Sequence, residues 1–368
     1  MKRILFLLTT AEMGGAEKVI INIANKLNKK NFDVKLFLFF KKGELLKTID
    51  PLLKVDYAYS VDYQSMFFSL PKILMKLYKY RNYDFFVAGT EIWPTYIAGF
   101  CSALWGVKTV SWVHTNLKLF MRKYSFFKRG LFKYLNWFSY RIVDRIIVVS
   151  SACEMPKNVN KKIEVIPNSY NKHLLSIRAK DVINDFNFND CKVPVILSVS
   201  RLDPIKNISL LIRAHALLTS KGIDEKVLII GDGSDFKHLK NLTSSLGVDD
   251  SVIFLGSKEN PYPYFSKSTI FVNPSLVEGF SLTGIESMAL ETPVISTSLP
   301  NACSLLIENN KNGIVVPNGS PEALAEAIKS LIRNPEKRML FSKNAKIMAE
   351  KYEEANIIKR IALFFDNQ

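Results

Sequence analysis

The sequence predicts an α/β protein of two doubly wound parallel-sheet domains, and three observations support this prediction. The chain has 368 residues, more than a single hydrophobic core usually accommodates. Short apolar runs alternate with amphipathic stretches in both halves, as in parallel sheets whose strands are joined by helices. A polar stretch without a clear period, Asn168–Cys191, separates the two series. Two such domains are expected to form an interdomain cleft that binds a ligand.

The first domain is predicted to span residues 1–170. Its opening segment, Met1–Thr10, has an apolar run of only five residues and no small-residue cleavage site, so we interpret it as a buried strand rather than a signal peptide. A helix is expected from about Gly15 to Lys30. The remaining strands of this domain are predicted at Val34–Phe40, Asp84–Ala88, Lys108–Val113, Arg145–Val149 and Ile163–Pro167.

The second domain, residues 192–350, is expected to follow a linker at residues 171–191. Its strands are predicted at Val195–Ser200, Lys226–Ile230, Val252–Leu255, Thr269–Asn273, Val294–Ser296 and Gly313–Val316. Its helices are predicted at Ser209–Ser220, at Phe236–Leu246, at Leu282–Leu290 and from Pro321, a residue suited to a first helical turn. Residues 351–368 are expected to form a C-terminal helix that packs back toward the first domain.

Composition restricts both the compartment and the partners. The four cysteines are far apart and form no CxxC pair, which disfavours a disulfide framework or a zinc knuckle and favours the reducing cytoplasm. No window has the roughly 18 uninterrupted apolar residues of a membrane-spanning helix. The net charge of +16 calls for a partner of opposite sign: nucleic acid, anionic lipid or a phosphorylated substrate.

The segment Lys118–Arg141 is both basic and aromatic and contains no acidic residue. Such a segment suits an anionic membrane surface, which would place the protein peripherally on the inner face of the cytoplasmic membrane. The alternative is a pair of amphipathic helices whose aromatic side chains enter the core while Lys and Arg stay solvated.

Two places in the first domain could contact a ligand. Gly14 and Gly15 lie between the first strand and the first helix, where glycine permits close approach and the helix start offers N–H groups to an anion, although a plain tight turn is the alternative. The turn lacks the third glycine and downstream acid of a dinucleotide fingerprint. His114 follows the strand Lys108–Val113 and could donate a hydrogen bond to a sugar hydroxyl; the alternative is a core histidine with satisfied hydrogen bonds.

Cations and glycines follow the first strands of the second domain. Arg201 and Lys206 leave one strand on the same loop, so both could converge on a diphosphate and stabilise it as it departs. Two solvated loop charges are the alternative. Gly231 and Gly233 flank Asp232 after the next strand, where the backbone could approach a nucleotide or simply turn.

A pair of carboxylates follows later in the second domain. Glu278 lies on a loop after a strand, and Glu286 lies eight positions further along, within a helix. Because carboxylates bind paired hydroxyl groups, Glu278 could bind a sugar and Glu286 a ribose, while backbone N–H groups at about Phe280–Thr283 could bind a phosphate. The alternative is that Glu278 is a helix-terminal charge and Glu286 an exposed helix residue.

Taken in order, the motifs Gly14-Gly15-Ala16-Glu17, Arg201 with Lys206, Gly231-Asp232-Gly233 and Glu278-x7-Glu286 resemble those of the family-four retaining glycosyltransferases. The resemblance covers nearly the whole chain, and that family has the GT-B architecture of two facing Rossmann-like domains. Two positions depart from the family pattern. Ser169 replaces the glycine of a Pro-Asn-Gly turn, and Thr283-Gly284 replaces larger aliphatic residues.

The resemblance implies a role for each of these residues. Arg201 and Lys206 would bind the donor diphosphate, Glu286 the ribose and Glu278 the hydroxyls of the transferred sugar, with His114 near that sugar. His114, Glu278, Arg201 and Lys206 together would form the catalytic group. Further donor contacts would come from Gly14, Gly15, Gly231, Gly279, Phe280, Ser281 and Leu282.

The implied reaction moves a hexose or N-acetylhexosamine from a nucleoside-diphosphate sugar, UDP rather than GDP, to a saccharide or polyprenyl-diphosphate-linked acceptor. Such transfers build cell-surface polysaccharides such as lipopolysaccharide or capsule. Retention of configuration without a metal or other cofactor is expected, and the sequence contains neither a DxD motif nor a His or Cys cluster. Nucleic acid is not an expected partner.

Two other functions stay open at this stage. The net charge of +16 would suit a non-catalytic nucleic-acid-binding protein, although no recognition helix, RNP signature or zinc motif is present. A nucleotide-sugar epimerase or hydrolase could share the same architecture.

Overall fold

The computed structural model describes residues 1–60, 66–116, 126–153, 155, 159, 163–298 and 302–368. The chain forms two compact units. Unit 1 comprises Met1–Asn168 together with Ala355–Gln368, and unit 2 comprises Ser169–Glu354.

Unit 1 contains a seven-stranded parallel sheet in the order β3-β2-β1-β4-β5-β6-β7. Its strands are β1 (Lys2–Leu8), β2 (Phe32–Phe40), β3 (Lys54–Tyr59), β4 (Phe85–Ala88), β5 (Lys108–Val113), β6 (Arg145–Val148) and β7 (Ile163–Val165). Its helices are α1 (Gly15–Asn28), α2 (Met66–Leu77), α3 (Trp93–Trp105) and α4 (Phe126–Ile142). The strand order reverses between β1 and β4, so their following loops flank the crevice where doubly wound sheets bind ligands.

Unit 2 contains a six-stranded parallel sheet in the order β10-β9-β8-β11-β12-β13. Its strands are β8 (Val195–Val199), β9 (Lys226–Ile230), β10 (Val252–Phe254), β11 (Ile270–Asn273), β12 (Val294–Thr297) and β13 (Gly313–Val316). Its helices are α5 (Lys172–Arg178), α6 (Ile208–Ser220), α7 (Phe236–Leu246), α8 (Tyr262–Lys267), α9 (Leu282–Ala289), α10 (Pro321–Arg333) and α11 (Pro335–Glu350). Its order reverses between β8 and β11. The predicted α/β class with two doubly wound parallel sheets is therefore confirmed.

The residues predicted as a linker, 171–191, lie within unit 2 in the structure. Asn171 caps α5 by accepting the backbone N–H of Leu174, and Leu175 is buried in the core of the unit. Phe186 and Phe188 pack against the same core. The segment has no clear hydrophobic period because only some of its apolar side chains pack in this core, whereas Leu174, Ile177 and Val182 are exposed.

The last helix, α12 (Glu354–Asp366), packs in unit 1 through its residues from Ala355 onward. Ile361 and Phe365 are fully buried, and the Phe365 ring lies 5.3 Å from that of Phe85. Lys2 donates a hydrogen bond of 2.7 Å from its ammonium to the carbonyl of Phe365. Among the helices of the described chain, none combines the length and apolar character needed to cross a bilayer.

Candidate functional site

Two loops meet at the point in unit 2 where the strand order reverses. One follows β8 and carries Arg201 and Lys206, and the other follows β11 and carries Glu278 and Ser281. Because β8 and β11 are parallel neighbours, both loops leave the same edge of the sheet. The backbone N–H of Leu276 donates to the carbonyl of Ile205 at 2.9 Å, which holds the loops together.

Lys206 and Glu278 form a largely buried ion pair across these loops. The ammonium nitrogen lies 2.6 Å from Glu278 Oε1, and the two side chains are 20% and 8% exposed. Ser275 Oγ donates to the same carboxylate oxygen at 3.0 Å, and Asn273 Nδ2 donates to Oε2 at 3.3 Å. Burying a carboxylate is costly without such partners, and Glu278 accepts hydrogen bonds from three side chains.

Asn273 connects this carboxylate to the start of α9. Its buried amide also donates to Ser281 Oγ at 2.8 Å, and its own oxygen accepts the N–H of Ser275 at 3.1 Å. Ser281 in turn caps α9 by accepting the N–H of Gly284 at 3.0 Å. Sequence reasoning missed Asn273 and Ser275; the available signal was a polar residue at the end of an apolar strand.

The start of α9 presents backbone N–H groups at the same edge of the sheet. Ser281 is the N-cap, so the amides of Leu282 and Thr283 lie in the first turn, where N–H groups lack helical partners. Gly279 and Phe280 lie on the loop just before it, and the Phe280 ring packs 5.7 Å from that of Tyr352.

Gly284, one of the departures from the family pattern, has a packing reason. A β-carbon at this position would lie 2.6 Å from the sulfur of Cys303. Burial raises the pKa of the Cys303 thiol to about 12, so the thiol stays neutral and fills this space as a small apolar group.

Arg201 differs from Lys206 in its surroundings. Its side chain is 76% exposed and pairs with Asp203 at 3.3 Å on its own loop. The structure therefore brings Lys206 to Glu278 and leaves the guanidinium of Arg201 largely in solvent.

The Gly231-Asp232-Gly233 turn contacts the backbone of the loop that follows β8. Gly231 has φ +138°, and a β-carbon there would lie 1.8 Å from the carbonyl oxygen of Ser200. The N–H of Leu202 donates to the carbonyl of Asp232 at 2.9 Å. Glycine is required because two backbones touch, and this contact positions the loop that carries Arg201 and Lys206.

Glu286 lies on α9, where its Oε1 accepts a hydrogen bond of 3.1 Å from the hydroxyl of Tyr262. Burial, and next the charge of Glu286, raise the pKa of Tyr262, so the phenol stays protonated and donates. The Arg178 guanidinium lies 6.0 Å from the centre of the Tyr262 ring. Tyr262 was also missed from the sequence, since it lies in a separate helix.

In unit 1, His114 directly follows β5 and is buried. Its Nε2 lies 3.1 Å from the carbonyl oxygen of Gly89, which can only accept, so Nε2 carries the proton. Its Nδ1 is then an acceptor, buried and without a partner in the described chain. Burial lowers the pKa of His114 to about 4. The ring thus offers an acceptor, whereas the sequence predicted a donor.

Glu91, in the loop after β4, holds the backbone of this histidine. Its Oε1 accepts the N–H groups of His114 and Thr115 at 2.5 and 2.8 Å. Burial raises the pKa of this carboxyl above its ordinary value.

Gly14 and Gly15 follow the loop after β1: Gly14 is the N-cap of α1, and Gly15 is the first residue of that helix. Within the described ranges, no three His, Cys, Asp or Glu side chains gather as they would around a metal ion.

Comparisons with known proteins agree with this fold. Residues 13–173 match the family described as Glycosyltransferase Family 4, and residues 179–348 match Glycosyl transferases group 1. An uncharacterised glycosyltransferase of Haemophilus influenzae is 27% identical over 98% of both chains. An α-1,4-N-acetyl-D-galactosaminyltransferase of Campylobacter jejuni, named for a PP-undecaprenol-linked glycan, is 26% identical over 97% of this chain and 96% of its own.

Among solved structures, a protein of Anabaena in complex with UDP and glucose is 20% identical, covers 100% of both chains and has a TM-score of 0.84. At this identity the similarity concerns the fold. Residues 13–173 match one family domain, residues 179–348 match a second, and each unit contains a doubly wound parallel sheet. The chain therefore belongs to the family-four glycosyltransferases of GT-B fold.

Proposed function

We propose that this glycosyltransferase moves a hexose or N-acetylhexosamine from a UDP-sugar, with retention of configuration, to a saccharide carried on polyprenyl diphosphate. The observation that carries the proposal is the Lys206–Glu278 pair, 2.6 Å apart, with its supporting Asn273 and Ser275. The pair lies where a doubly wound sheet binds nucleotides. A cation and a carboxylate side by side match the diphosphate and the hydroxyls of a nucleotide sugar.

The donor is proposed to bind between charges of opposite sign. Lys206 would face the diphosphate, and Arg201, which is 76% exposed on the same loop, would add a second cation as the phosphates arrive. The N–H groups at the start of α9 would donate hydrogen bonds to a phosphate oxygen. Glu286, already oriented by Tyr262 at 3.1 Å, would bind the ribose hydroxyls.

The nature of the base and acceptor rests on relatives. The similar Anabaena protein was solved with UDP, with UDP and glucose, and with UDP-glucose. Two relatives from Campylobacter jejuni are named for undecaprenol-linked diphosphate glycans. We extend both properties to this chain as proposals, together with a place in cell-surface polysaccharide assembly.

In the proposed reaction the bond between the sugar C1 and the diphosphate oxygen breaks, and UDP leaves with the electron pair. The acceptor hydroxyl oxygen forms a new bond to C1 on the same face, and its proton passes to an oxygen of the departing phosphate. Lys206 and Arg201 would stabilise the developing negative charge, a role that side-chain cations can fulfil. We therefore propose that transfer needs no metal ion.

The donor assignment is tested by thermal unfolding with UDP, GDP and their sugars, because a ligand that binds only the native state raises the midpoint. We expect UDP to stabilise the wild type and to stabilise Lys206→Ala and Glu286→Ala much less. Lys346→Ala is the matched control, since Lys346 also pairs with a glutamate, Glu291, at 2.6 Å but at 45% exposure. Absence of a shift with every nucleotide would refute the donor site.

Retention and metal independence need a product assay. The anomeric configuration of the product, read by NMR, is expected to match that of the donor, and EDTA is expected to leave the rate unchanged. An inverted product, or loss of activity that added divalent metal restores, would contradict the respective part of the proposal. UDP release without an acceptor product would identify a hydrolase instead.

A further inference from the structure

Helices α2, α3 and α4 of unit 1 lie on one face of its sheet. They follow β3, β4 and β5, and right-handed crossovers in this strand order place all three on the same side. Ile73 of α2 and Ile97 of α3 share a buried cluster with Phe86 of the sheet. Tyr96 of α3 donates to the Asn136 side chain of α4 at 2.9 Å.

The outer surface of this layer is unusually aromatic. We define the three-helix face as the exposed apolar side chains of α2 and the turn after it, of α3 and of α4: Phe68, Met75, Tyr78, Phe100, Leu104, Leu131, Tyr134, Trp137 and Phe138. Their exposed fractions run from 42% for Trp137 to 78% for Phe68. Six of the seven exposed aromatic side chains in the described chain belong to this face.

The face is contiguous because its helices touch. Tyr78, just after α2, packs its ring 5.7 Å from Trp105 of α3. A β-carbon at Gly99 of α3 would lie 3.6 Å from the carbonyl oxygen of Ser139 of α4, so these two helices approach closely. On α4 itself, the rings of Tyr134 and Trp137 stack at 5.9 Å, and the Arg141 guanidinium lies 4.8 Å from the Trp137 ring.

The charge of the three helices has one sign. Their sequences contain no Asp or Glu, and the basic residues whose side chains the structure describes are Lys72, Lys76, Lys133 and Arg141. Aromatic rings among Lys and Arg are the composition of surfaces that sit at a lipid interface, with rings at the headgroup level and cations at the phosphates. A second copy of the same face would instead bring like charges together.

We propose that the three-helix face binds the surface of an anionic lipid bilayer, without spanning it. The sequence pointed only to the segment Lys118–Arg141, of which residues 118–125 lie outside the described residues and the rest forms one helix, α4. The structure adds α2 and α3 to the same surface. This inference deepens the proposed function and rests on it for its purpose, because a polyprenyl-linked acceptor is confined to the membrane.

The test is sedimentation of the full chain with vesicles. We expect binding to an equal mixture of phosphatidylglycerol and phosphatidylcholine, and little binding to phosphatidylcholine alone. Replacing both Tyr134 and Trp137 by Ser should weaken binding at least about tenfold at any salt concentration. Replacing Lys133 and Arg141 by Gln should weaken it roughly twentyfold at low salt and less at high salt.

The matched control is Met339→Ser with Leu340→Ser, which removes two exposed apolar side chains, 65% and 55% exposed, from α11 of unit 2. This variant should bind vesicles as the wild type does. Equal weakening in the control, or wild-type binding that ignores lipid charge, would overturn the proposal. So would loss of a wild-type dimer in the Tyr134/Trp137 variant without any change in vesicle binding, which would make the face a contact between copies.

Transfer assays separate this inference from the proposed function. The face variants should keep wild-type transfer to a water-soluble saccharide acceptor and lose it to an acceptor embedded in vesicles. If the wild type does not bind vesicles but still transfers sugar, the docking surface is refuted and the proposed function is retained. If it binds vesicles but transfers sugar to no acceptor, the proposed function is refuted and the docking surface is retained.

Discussion

Asn273→Asp is the substitution that most directly examines how the Lys206–Glu278 pair is held. It keeps the shape of the side chain and the acceptor for the Ser275 N–H at 3.1 Å. It removes the donor of two hydrogen bonds, one to Ser281 Oγ at 2.8 Å and one to Glu278 Oε2 at 3.3 Å. A second carboxylate then faces Glu278 in a buried site.

The size of the effect follows from these contacts. A lost hydrogen bond to a charged group costs about 2 kcal/mol and one between neutral groups about 1 kcal/mol. If Glu278 must be in place when the donor reacts, the sum of about 3 kcal/mol corresponds to a roughly hundredfold fall in kcat/KM. Because two adjacent carboxylates share a proton, the deficit should shrink as the pH falls.

The assay is steady-state transfer with the UDP-sugar varied, together with the free energy of unfolding from urea. Thr292→Val is the matched control, because buried Thr292 donates to the carbonyl of Phe265 at 2.7 Å near the opposite edge of the same sheet. That variant should lose about 1 kcal/mol of stability and keep its donor KM. Unchanged kcat and KM in a folded Asn273→Asp protein would refute the idea that Asn273 positions Glu278.

Three further predictions concern stability and binding. In the absence of ligand, Lys206→Ala should lower the free energy of unfolding by about 3 kcal/mol, because it leaves the buried Glu278 without its cation. Arg201 is 76% exposed, so Arg201→Ala should lower it by less than about 0.5 kcal/mol while still weakening UDP binding. Urea unfolding measures the stability and calorimetry the binding; equal stability losses in the two variants would contradict this prediction. The pKa of His114 is about 4 in the folded protein against 6.5 for a free histidine, so the unfolded chain takes up the proton at a higher pH and stability decreases as the pH is lowered through this range. Relative to His114→Gln, the wild type should lose about 2 kcal/mol of unfolding free energy from about pH 7 to about pH 5. Parallel plots of unfolding free energy against pH for the two proteins would disprove the assignment. Gly231→Ala should cost at least about 3 kcal/mol because its β-carbon would meet the Ser200 carbonyl at 1.8 Å; Gly319→Ala, with φ +76° and open space, should cost about 1 kcal/mol, and similar midpoints for the two would contradict the close approach.

Local pattern predicts most of the strands in both units, because each buried strand is a short apolar run bounded by polar or glycine residues. The strand β3 was missed since KVDYAY lies at the edge of the sheet and is only partly buried. Helix α5 was missed because it is short and only Leu175 of its residues is buried.

The candidate site is less accessible to sequence reasoning. Lys206 and Glu278 are separated by 72 positions, and their contact depends on β8 and β11 being neighbours, which no local pattern encodes. The same holds for Tyr262, which reaches Glu286 from another helix. The proton on His114 is set by the carbonyl of Gly89, 25 positions away, and this reverses the hydrogen-bonding role that the residue type suggested.

The placement of α12 in unit 1 has a consequence for the order in which the chain folds during synthesis. All of unit 2, Ser169–Glu354, is synthesised before Ala355–Gln368. Until then the surface that receives Ile361 and Phe365, including the Phe85 ring 5.3 Å from Phe365, has no cover from this helix. The unit whose synthesis begins first is thus the last to receive all of its residues. A chain truncated after Glu354 should contain every residue of the second unit but lack the helix that covers this surface of the first.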